Sequence, residues 1–274
     1  MKTILKKIVP PLFIDGLKLM KREQYGWFGD FQNWIDAEKE STGYNQTEIL
    51  EKVKSSLLKV KNGEAVYERD SVVFDEVEYF WTLLSTLMFV AAKSKGHLNL
   101  LDFGGSLGST YYQNKKFLDE LSKVSWGIVE QKHFVEIGKE SFENDVLVFH
   151  DNITACKKAK NPNVILLSGV IQYLEEPYKM LENIIAQDFE FIIFDLTPFT
   201  VSDNDRITIQ KVSPEIYEAN YPCWLLSYSK FMESLLKKYE VIEEFQSMKD
   251  FKISIKNKFV ADYRGALLKR KNND

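Results

Sequence analysis

The chain has 274 residues, of which 45% are hydrophobic and 14% aromatic, a composition that supports one large domain or a core domain with a smaller cap. Its 36 basic and 40 acidic side chains give a net charge of -4, which argues against a nucleic-acid binder that neutralises phosphates over a basic face. Two cysteines exclude a disulfide scaffold and a cysteine-rich zinc module, so Cys156 and Cys223 are interpreted as ordinary thiols in a reducing cytoplasm.

The first 22 residues show neither the sustained apolar region nor the small-residue cleavage site of a secretory signal. Their lysines alternate with apolar side chains, so this arm is a candidate for binding a membrane surface, although Pro10 and Pro11 interrupt any single helix. A plain N-terminal arm is the alternative. The longest apolar run, over residues 80–92, is too short to span a bilayer, which takes roughly 20 residues. We therefore predict a cytoplasmic protein, with the arm as the place for peripheral contact at the inner face of the membrane.

The hydrophobic pattern changes near residue 93. Before it, the periodicity predicts helices over 47–60 and 75–92 and no alternating strand, so residues 1–92 are interpreted as an N-terminal arm and a helical cap. Residues 93–274 instead alternate short strands rich in Val, Ile and Leu with amphipathic segments, which is typical of an α/β fold with a parallel sheet covered on both faces. The predicted strands are 98–103, 126–130, 146–149, 164–168, 191–194, 241–246 and 263–269, and the predicted helices are 110–123, 133–142, 177–187 and 228–238.

The first strand of this sheet carries the most informative residues. Segment 100–109, LLDFGGSLGS, is an apolar strand that ends in an acid and a glycine-rich turn before a helix. Ligands of open α/β sheets bind at the carboxyl ends of the strands, where glycines let the backbone approach the ligand closely. The dinucleotide fingerprint GxGxxG fails here, because its first glycine would fall on Phe103.

A second spacing is satisfied: an acid, one residue, a glycine, three residues and a glycine, at Asp102, Gly104 and Gly108. This is the turn used by Rossmann-like methyltransferases, whose S-adenosylmethionine cofactor has no pyrophosphate to cradle. The Asp102 carboxylate is then expected to face the cationic amino-acid portion of the cofactor, directly or through water. The usual middle glycine is displaced, because Ser106 occupies its place and Gly105 precedes it. These five residues are predicted to form the cofactor turn.

Acidic residues also end the second and third strands. Glu130, at the end of the second, could accept both ribose hydroxyls, with Gln131 beside it. The alternatives are that Glu130 caps the next helix or pairs with Lys132. The third strand ends at residues 150–152, where such folds contact adenine, and Asp151 is the candidate for that contact. Capping of the following helix by this segment is the alternative.

The fourth and fifth strands supply the catalytic candidates. Ser168 ends the fourth strand, and Gln172 and Tyr173 follow it; all three are expected beside the transferred methyl group, with Ser168 on the cofactor. O-methylation also requires a base that removes the proton of the acceptor hydroxyl. Asp195, at the end of the fifth strand, and His150 are the candidates for this base, with Gln172 and Tyr173 as orienting residues. The alternatives are a capping role for Asp195 and a structural position for His150 in the helix layer. No metal site is predicted.

The sequence resembles a family of bacterial S-adenosylmethionine-dependent methyltransferases often encoded among surface-polysaccharide genes. The segments that carry this resemblance are YGWFGD (25–30), YERDS (67–71), LDFGGSLG (101–108), VEQ (129–131), QYL (172–174), DLTP (195–198) and YPCW (221–224). Leu196 departs from it, because an arginine is expected at that position. The resemblance implies a Rossmann-like class I methyltransferase sheet, mostly parallel with an antiparallel last strand, and S-adenosyl-L-methionine as cofactor of a catalytic domain over residues 93–274.

Three functions follow as hypotheses. The first is O-methylation of a sugar, a nucleotide-sugar or a surface polysaccharide such as O-antigen or capsule. Aromatic side chains could stack on such an acceptor; the candidates in the cap are Tyr25, Trp27, Phe28, Trp34 and Tyr67, with Arg69 beside them, and segment 221–224 could add another wall. The second is methylation of nitrogen or of another small metabolite. The third is a non-catalytic binding subunit, which the intact cofactor turn disfavours.

Overall fold

The computed structural model describes residues 25–41, 46–65, 67–69, 72–74, 79–213, 219–248, 251–256 and 258–272. The basic N-terminal arm lies outside the described residues, and so do the side chains of Tyr67 and Arg69. Within the described part of the chain, no helix is both long enough and apolar enough to cross a bilayer.

The described elements follow in chain order. The strands are β1 (Gly26–Phe31), β2 (Tyr67–Arg69), β3 (Val72–Phe74), β4 (His97–Phe103), β5 (Lys123–Val129), β6 (Leu147–His150), β7 (Val164–Ser168), β8 (Phe191–Thr200), β9 (Arg206–Lys211), β10 (Asn220–Ser227), β11 (Tyr239–Gln246), β12 (Lys252–Ile255) and β13 (Lys258–Arg270). The helices are α1 (Trp34–Glu40), α2 (Gln46–Lys61), α3 (Trp81–Lys93), α4 (Ser109–Leu118), α5 (Lys132–Ser141), α6 (Ile153–Lys160), α7 (Pro177–Ala186) and α8 (Tyr228–Leu236), with a 3₁₀ turn over Ile171–Tyr173.

The main sheet confirms the predicted architecture. Its strands lie in the order β6-β5-β4-β7-β8, all parallel, and β13 then pairs with β8 in the antiparallel direction. Strand β11 follows β13, again antiparallel. The predicted mostly parallel sheet with an antiparallel last strand is therefore present, and it places the carboxyl ends of the five parallel strands along one edge.

Alternating side chains bury both faces of this sheet. On β4, Leu98 and Leu100 belong to a core cluster on one face, together with Trp126 of β5. Leu101 belongs to a second cluster on the opposite face, which contains Ile165 of the neighbouring β7. This period of two, with apolar residues on both sides, is what a parallel sheet between helix layers requires.

A second group of strands extends the sheet at the end of β8. Strand β8 continues to Thr200, six residues beyond the predicted strand over 191–194, and its last residues pair with β10 instead of β7. Strands β9 and β10 pair in the antiparallel direction, and β1 pairs with β9. We call β1, β9 and β10 the side wing. It lies beside the carboxyl edge of the parallel strands, where it can form a second wall.

The side wing corrects the prediction that residues before 93 form only helices and loops. Strand β1 has the sequence GWFGDF, in which glycines with positive φ, Gly26 and Gly29, obscure the alternation. Its partner β9 lies about 180 residues later in the chain, so the pairing is not a local property. Strand β9 itself alternates in its sequence, RITIQK, and that signal was available.

Candidate functional site

A large cleft opens at the carboxyl edge of the parallel strands. Its volume is about 1880 Å³, which exceeds the roughly 300–1,000 Å³ of a pocket for one small ligand. One half is lined by the ends of β4 to β8, including Asp102, Glu130 and Asp195. The other half is lined by the side wing and by β12 and β13, including Trp27 and Tyr263. The cleft therefore has room for two ligands side by side.

The glycine turn after β4 forms the floor of the first half. Gly104 has φ +74°, and its N–H donates to the Val129 carbonyl at 2.9 Å. A Cβ at Gly104 would lie 2.3 Å from Val170 Cγ2, and a Cβ at Gly105 would lie 2.5 Å from Asp102 Cγ. Both glycines are therefore required by close approach, and the turn holds the Asp102 carboxyl directly beneath its backbone.

The remaining residues of the turn divide into one that lines the cleft and one that supports it. Ser106 lines the cleft with φ +53°, a conformation that favours glycine and that matches the displaced middle glycine of the sequence pattern. Gly108 is the N-cap residue of α4 and has φ +101°; a Cβ there would lie 3.1 Å from Leu147 Cδ2. Gly108 is buried behind the turn and does not line the cleft, so its contribution is to the packing of α4 on the sheet.

Asp102 is almost completely buried at the end of β4. The Trp126 indole N–H donates to Asp102 Oδ2 at 3.1 Å. Burial raises the pKa of Asp102 from 3.8 to about 7; the Trp126 hydrogen bond opposes this shift, and the charge of nearby Glu130 adds to it. A cationic ligand above the turn would therefore favour the ionised form of Asp102. Sequence reasoning missed Trp126, although its place on the adjacent strand was predicted.

Glu130 reaches across to the same turn from the end of β5. Its carboxylate accepts the Gln131 N–H at 2.6 Å and also the backbone N–H of Ser106. Burial raises the pKa of Glu130, and these two hydrogen bonds oppose the shift. Lys132, the alternative partner considered for Glu130, pairs instead with Glu136, with 4.0 Å between its Nζ and Glu136 Oε1. A carboxylate has about four acceptor positions, so Glu130 retains acceptor capacity toward the cleft.

In the segment after β6, one residue caps the next helix and another lines the cleft. The Asn152 side chain caps α6 by accepting the Ala155 N–H at 2.8 Å. Asp151 is exposed and lines the cleft. Sequence reasoning missed the apolar wall next to it, which consists of Phe103, Val129, Phe134 and Ile153. Phe103 and Val129 lie at or next to the ends of predicted strands, and Phe134 and Ile153 follow such strands within four residues, so this location was the available signal.

The candidates after β7 and on β8 are brought together in the cleft. Ser168, the last residue of β7, pairs in register with Asp195, which is 2% exposed. The Gln172 amide donates to the Leu196 carbonyl at 3.2 Å, and Tyr173 donates from its hydroxyl to Gln210 Oε1 at 2.8 Å. All of these residues line the cleft. Gln172 Oε1 is buried and has no hydrogen-bond partner among the described residues.

His150 is the predicted base that the structure does not bring to the cleft. A Cβ at Gly127 on β5 would lie 2.5 Å from the Cys156 sulfur and 3.6 Å from His150 Cδ2. The His150 ring therefore lies against α6, on the face of the sheet opposite to Trp126, because side chains alternate along the strand. Burial lowers the pKa of His150, and nearby Lys139 lowers it further. Its structural position in the helix layer, the alternative considered above, is the one observed.

Aromatic side chains form the second half of the cleft. Of the aromatic candidates from the sequence, Tyr25, Trp27 and Trp34 line it, whereas Phe28 does not and instead lies under the Lys211 ammonium at 5.0 Å. Four contacts between aromatic rings involve residues of this wall. The distances between ring centroids are 5.8 Å for Trp27 and Phe251, 6.1 Å for Trp27 and Tyr263, 5.2 Å for Tyr173 and Tyr221, and 6.1 Å for Trp34 and Trp224. Sequence reasoning missed Phe251 and Tyr263.

No protein-family profile matches the chain, and no curated protein sequence matches it. Solved structures similar to it include the N-terminal domain of EvdMO1 with SAH and D-fucose, at 13% identity over 84% of this chain and 98% of that chain, with a TM-score of 0.47. The glycopeptide N-methyltransferase MtfA with sinefungin is 12% identical over 69% of this chain and 87% of that chain, with a TM-score of 0.45. Magnesium protoporphyrin IX methyltransferase from Synechocystis PCC 6803 with bound SAH is 11% identical over 70% of this chain and 83% of that chain, with a TM-score of 0.45.

The fold of this chain follows from its own sheet. Five parallel strands and the antiparallel β13, inserted between β8 and β11, form a Rossmann-like sheet of the class I methyltransferase type. Identities and TM-scores this low leave the activity to be inferred from the geometry of the cleft.

Proposed function

We propose that the protein is an S-adenosylmethionine-dependent methyltransferase. The observation that carries the proposal is the pair of carboxylates, Asp102 and Glu130, that meet at one glycine turn from adjacent parallel strands. Asp102 would face the cationic amino-acid end of the cofactor, and Glu130 would accept its ribose hydroxyls. The apolar wall beside Asp151 would cover the adenine ring. When bound, S-adenosylmethionine supplies a methyl group already activated by a sulfonium centre.

The same turn argues against a dinucleotide cofactor. A pyrophosphate is bound by backbone N–H groups that point away from the strand. In this chain the Gly104 N–H donates to the Val129 carbonyl, and the Ser106 N–H donates to the Glu130 carboxylate. Two buried or half-buried carboxylates at the turn make it attractive to a cation and repulsive to a diphosphate.

For the acceptor we propose a hydroxyl-bearing molecule, a sugar, a nucleotide-sugar or a surface polysaccharide, that is O-methylated. Two features support this choice. The buried Gln172 Oε1 is an acceptor available to a hydroxyl donor, and the aromatic wall offers faces for a sugar ring. Asp195 would take the proton of the reacting hydroxyl, and Tyr173, held by Gln210, would orient the acceptor. Methylation of nitrogen in a small metabolite is the second candidate.

The cofactor proposal is tested by thermal unfolding with ligands. We expect S-adenosylhomocysteine to raise the melting temperature and NAD to leave it unchanged, because S-adenosylhomocysteine brings an ammonium group to Asp102, whereas NAD would bring a pyrophosphate to the two carboxylates. Glu130→Ala should weaken the affinity for S-adenosylhomocysteine by about 1–3 kcal/mol, the value of lost hydrogen bonds to a charged group. Glu136→Ala, an exposed acid on the next helix, is the matched control. Stabilisation by NAD alone would contradict the proposal.

The acceptor proposal is tested by transfer of a labelled methyl group from S-adenosylmethionine to a panel of nucleotide-sugars and glycans. We expect Asp195→Asn to reduce kcat by about 10²–10⁴-fold, the usual contribution of a general base, while the affinity for S-adenosylhomocysteine is kept. His150→Ala should leave kcat unchanged, because the ring lies outside the cleft. Wild-type turnover in Asp195→Asn would reject Asp195 as the base.

A further inference from the structure

A β-bulge lies on β8 at the edge of the cleft. Asp195 and Leu196 together face only Gly265 of β13, because the register shifts by one residue between the pairs on either side. The parallel pairing of β8 with β7 ends at the same place, and β8 next pairs with β10. A bulge bends its strand and redirects the side chains beside it. Here it lies where Asp195 enters the cleft.

The backbone of the bulge is strained at Leu196. Its φ of +46° lies in the left-handed region, which a bulky apolar residue rarely adopts unless its surroundings fix it. Two side chains from separate elements hold its peptide groups. The Leu196 N–H donates to Ser247 Oγ at 3.0 Å, and the Leu196 carbonyl accepts the Gln172 amide at 3.2 Å. Ser247 is 8% exposed and Gln172 is 1% exposed, so water does not replace these bonds readily. We call Ser247 and Gln172 the bulge clamp.

Packing fixes the same conformation from two further sides. The Leu196 side chain packs on an apolar cluster that contains Tyr263 and Ile253. Across the bulge, a Cβ at Gly265 would lie 2.8 Å from the Phe194 carbonyl oxygen, so glycine allows β13 to close on the bulged strand. Hydrogen bonds and packing therefore stabilise the same backbone conformation at Asp195 and Leu196.

We infer that Leu196 and Ser247 are positioning residues, which act through the bulge to hold the Asp195 carboxylate at one place in the cleft. This inference rests on the proposed function, in which Asp195 takes a proton from the acceptor. A base must lie within hydrogen-bond reach of that proton, and a displacement of about 1 Å is enough to lose it. Residue 196 therefore contributes through its backbone conformation. Its apolar side chain helps to fix that conformation by packing on the cluster.

Crystal structures of variants test the inference without knowledge of the acceptor. In Ser247→Ala the Leu196 N–H loses its partner, so we expect Leu196 to leave the left-handed region and the Asp195 carboxylate to move by more than about 1 Å or to occupy several rotamers. In the double variant Leu196→Gly/Ser247→Ala, glycine adopts the positive φ without strain, so the carboxylate should return to its wild-type place. The single variant Leu196→Gly provides the reference.

A matched control separates positioning from stability. Ser227 is also a buried serine, and its hydroxyl caps α8 by accepting the Lys230 N–H. Ser227→Ala should lower the melting temperature and leave Asp195 in place. An Asp195 carboxylate that stays within about 0.5 Å in Ser247→Ala, or a double variant that does not restore it, would overturn the inference. Absence of S-adenosylhomocysteine binding by the wild type would instead overturn the proposed function, since the displacement of Asp195 is measured in ligand-free crystals as well.

Discussion

At the scale of single residues, Asp102 combines a buried position with an acidic side chain in the lining of the cleft. Its hydrogen bond from Trp126 does not compensate for the lost hydration, so its pKa rises to about 7. A buried acid of this kind costs stability whenever it is ionised. Such a cost is common at functional sites, where burial tunes a group toward a ligand. The stability of the protein should therefore depend on pH through this residue.

The sign of that dependence follows from proton binding. Between the ordinary pKa of 3.8 and the raised value of about 7, folded Asp102 holds a proton that the unfolded chain has lost. The free energy of unfolding should therefore fall as pH rises through this window, by at most about 1.4 kcal/mol per pH unit from this group. Asp102→Asn removes the effect, so its melting temperature should exceed that of the wild type by more at pH 8 than at pH 5. Asp119→Asn, an exposed acid, is the control, and an equal difference at both pH values would contradict the assignment.

At the scale of elements, the glycine turn can be tested with two glycines that share a backbone angle. Gly104 and Gly63 both have φ +74°, but a Cβ would meet Val170 at 2.3 Å in the first case and open space in the second. Gly63→Ala should cost about 1–2 kcal/mol for the left-handed conformation alone. Gly104→Ala should cost a further 1–3 kcal/mol, roughly, for overpacking, and should weaken the binding of S-adenosylhomocysteine at least tenfold. Urea unfolding and calorimetric titration measure the two effects, and equal costs at both positions would show that Val170 yields.

The elements also show how far local patterns extend. The sequence correctly predicted β4, β5, β6 and β7. Their apolar runs are buried on both faces, and such a run predicts a strand without knowledge of its neighbours. The helix α6 was not predicted, because its sequence ITACKKAK contains two buried residues, Ile153 and Cys156, too few for a clear period. A short helix can thus be fixed by its cap, Asn152, and by the sheet beneath it.

At the scale of the whole molecule, Asp205 joins segments that are distant in sequence. Its carboxylate accepts the Tyr178 hydroxyl and the Ser227 N–H, each at 2.6 Å, and it pairs with Lys230 at 3.2 Å. The loop before β9 is thereby tied to α7 and to the start of α8. Because Asp205 does not line the cleft, these bonds bear on stability and not on the ligand.

Asp205→Ala should lower the free energy of unfolding by about 2–4 kcal/mol, because the N–H of the buried Ser227 and the hydroxyl of the half-buried Tyr178 lose a charged acceptor. The affinity for S-adenosylhomocysteine should stay at the wild-type value. Asp203→Ala, two residues earlier and exposed, should change stability by less than about 0.5 kcal/mol. Chemical denaturation of the three proteins compares these values; a loss of ligand affinity in Asp205→Ala would mean that the tie reaches the cleft.

The sequence by itself determined the α/β class, the parallel strands and the two acids at one edge of the sheet. These features depend on local information, since an apolar run followed by an acid and glycines predicts a strand and a turn before its pairing partners are known. It also placed Ser168, Gln172, Tyr173 and Asp195 near this edge, because the ends of parallel strands converge.

Only the tertiary structure decided which side chains meet. His150 and Asp195 both end or interrupt strands, yet alternation directs the His150 ring into the helix layer, whereas the bulge brings Asp195 to the cleft. Trp126 contacts Asp102 across two neighbouring strands, and β1 joins β9 across about 180 residues of chain. Local periodicity reports that a residue is buried but not against what, so partners, strand register and backbone strain at Leu196 emerge only when the sheet is assembled.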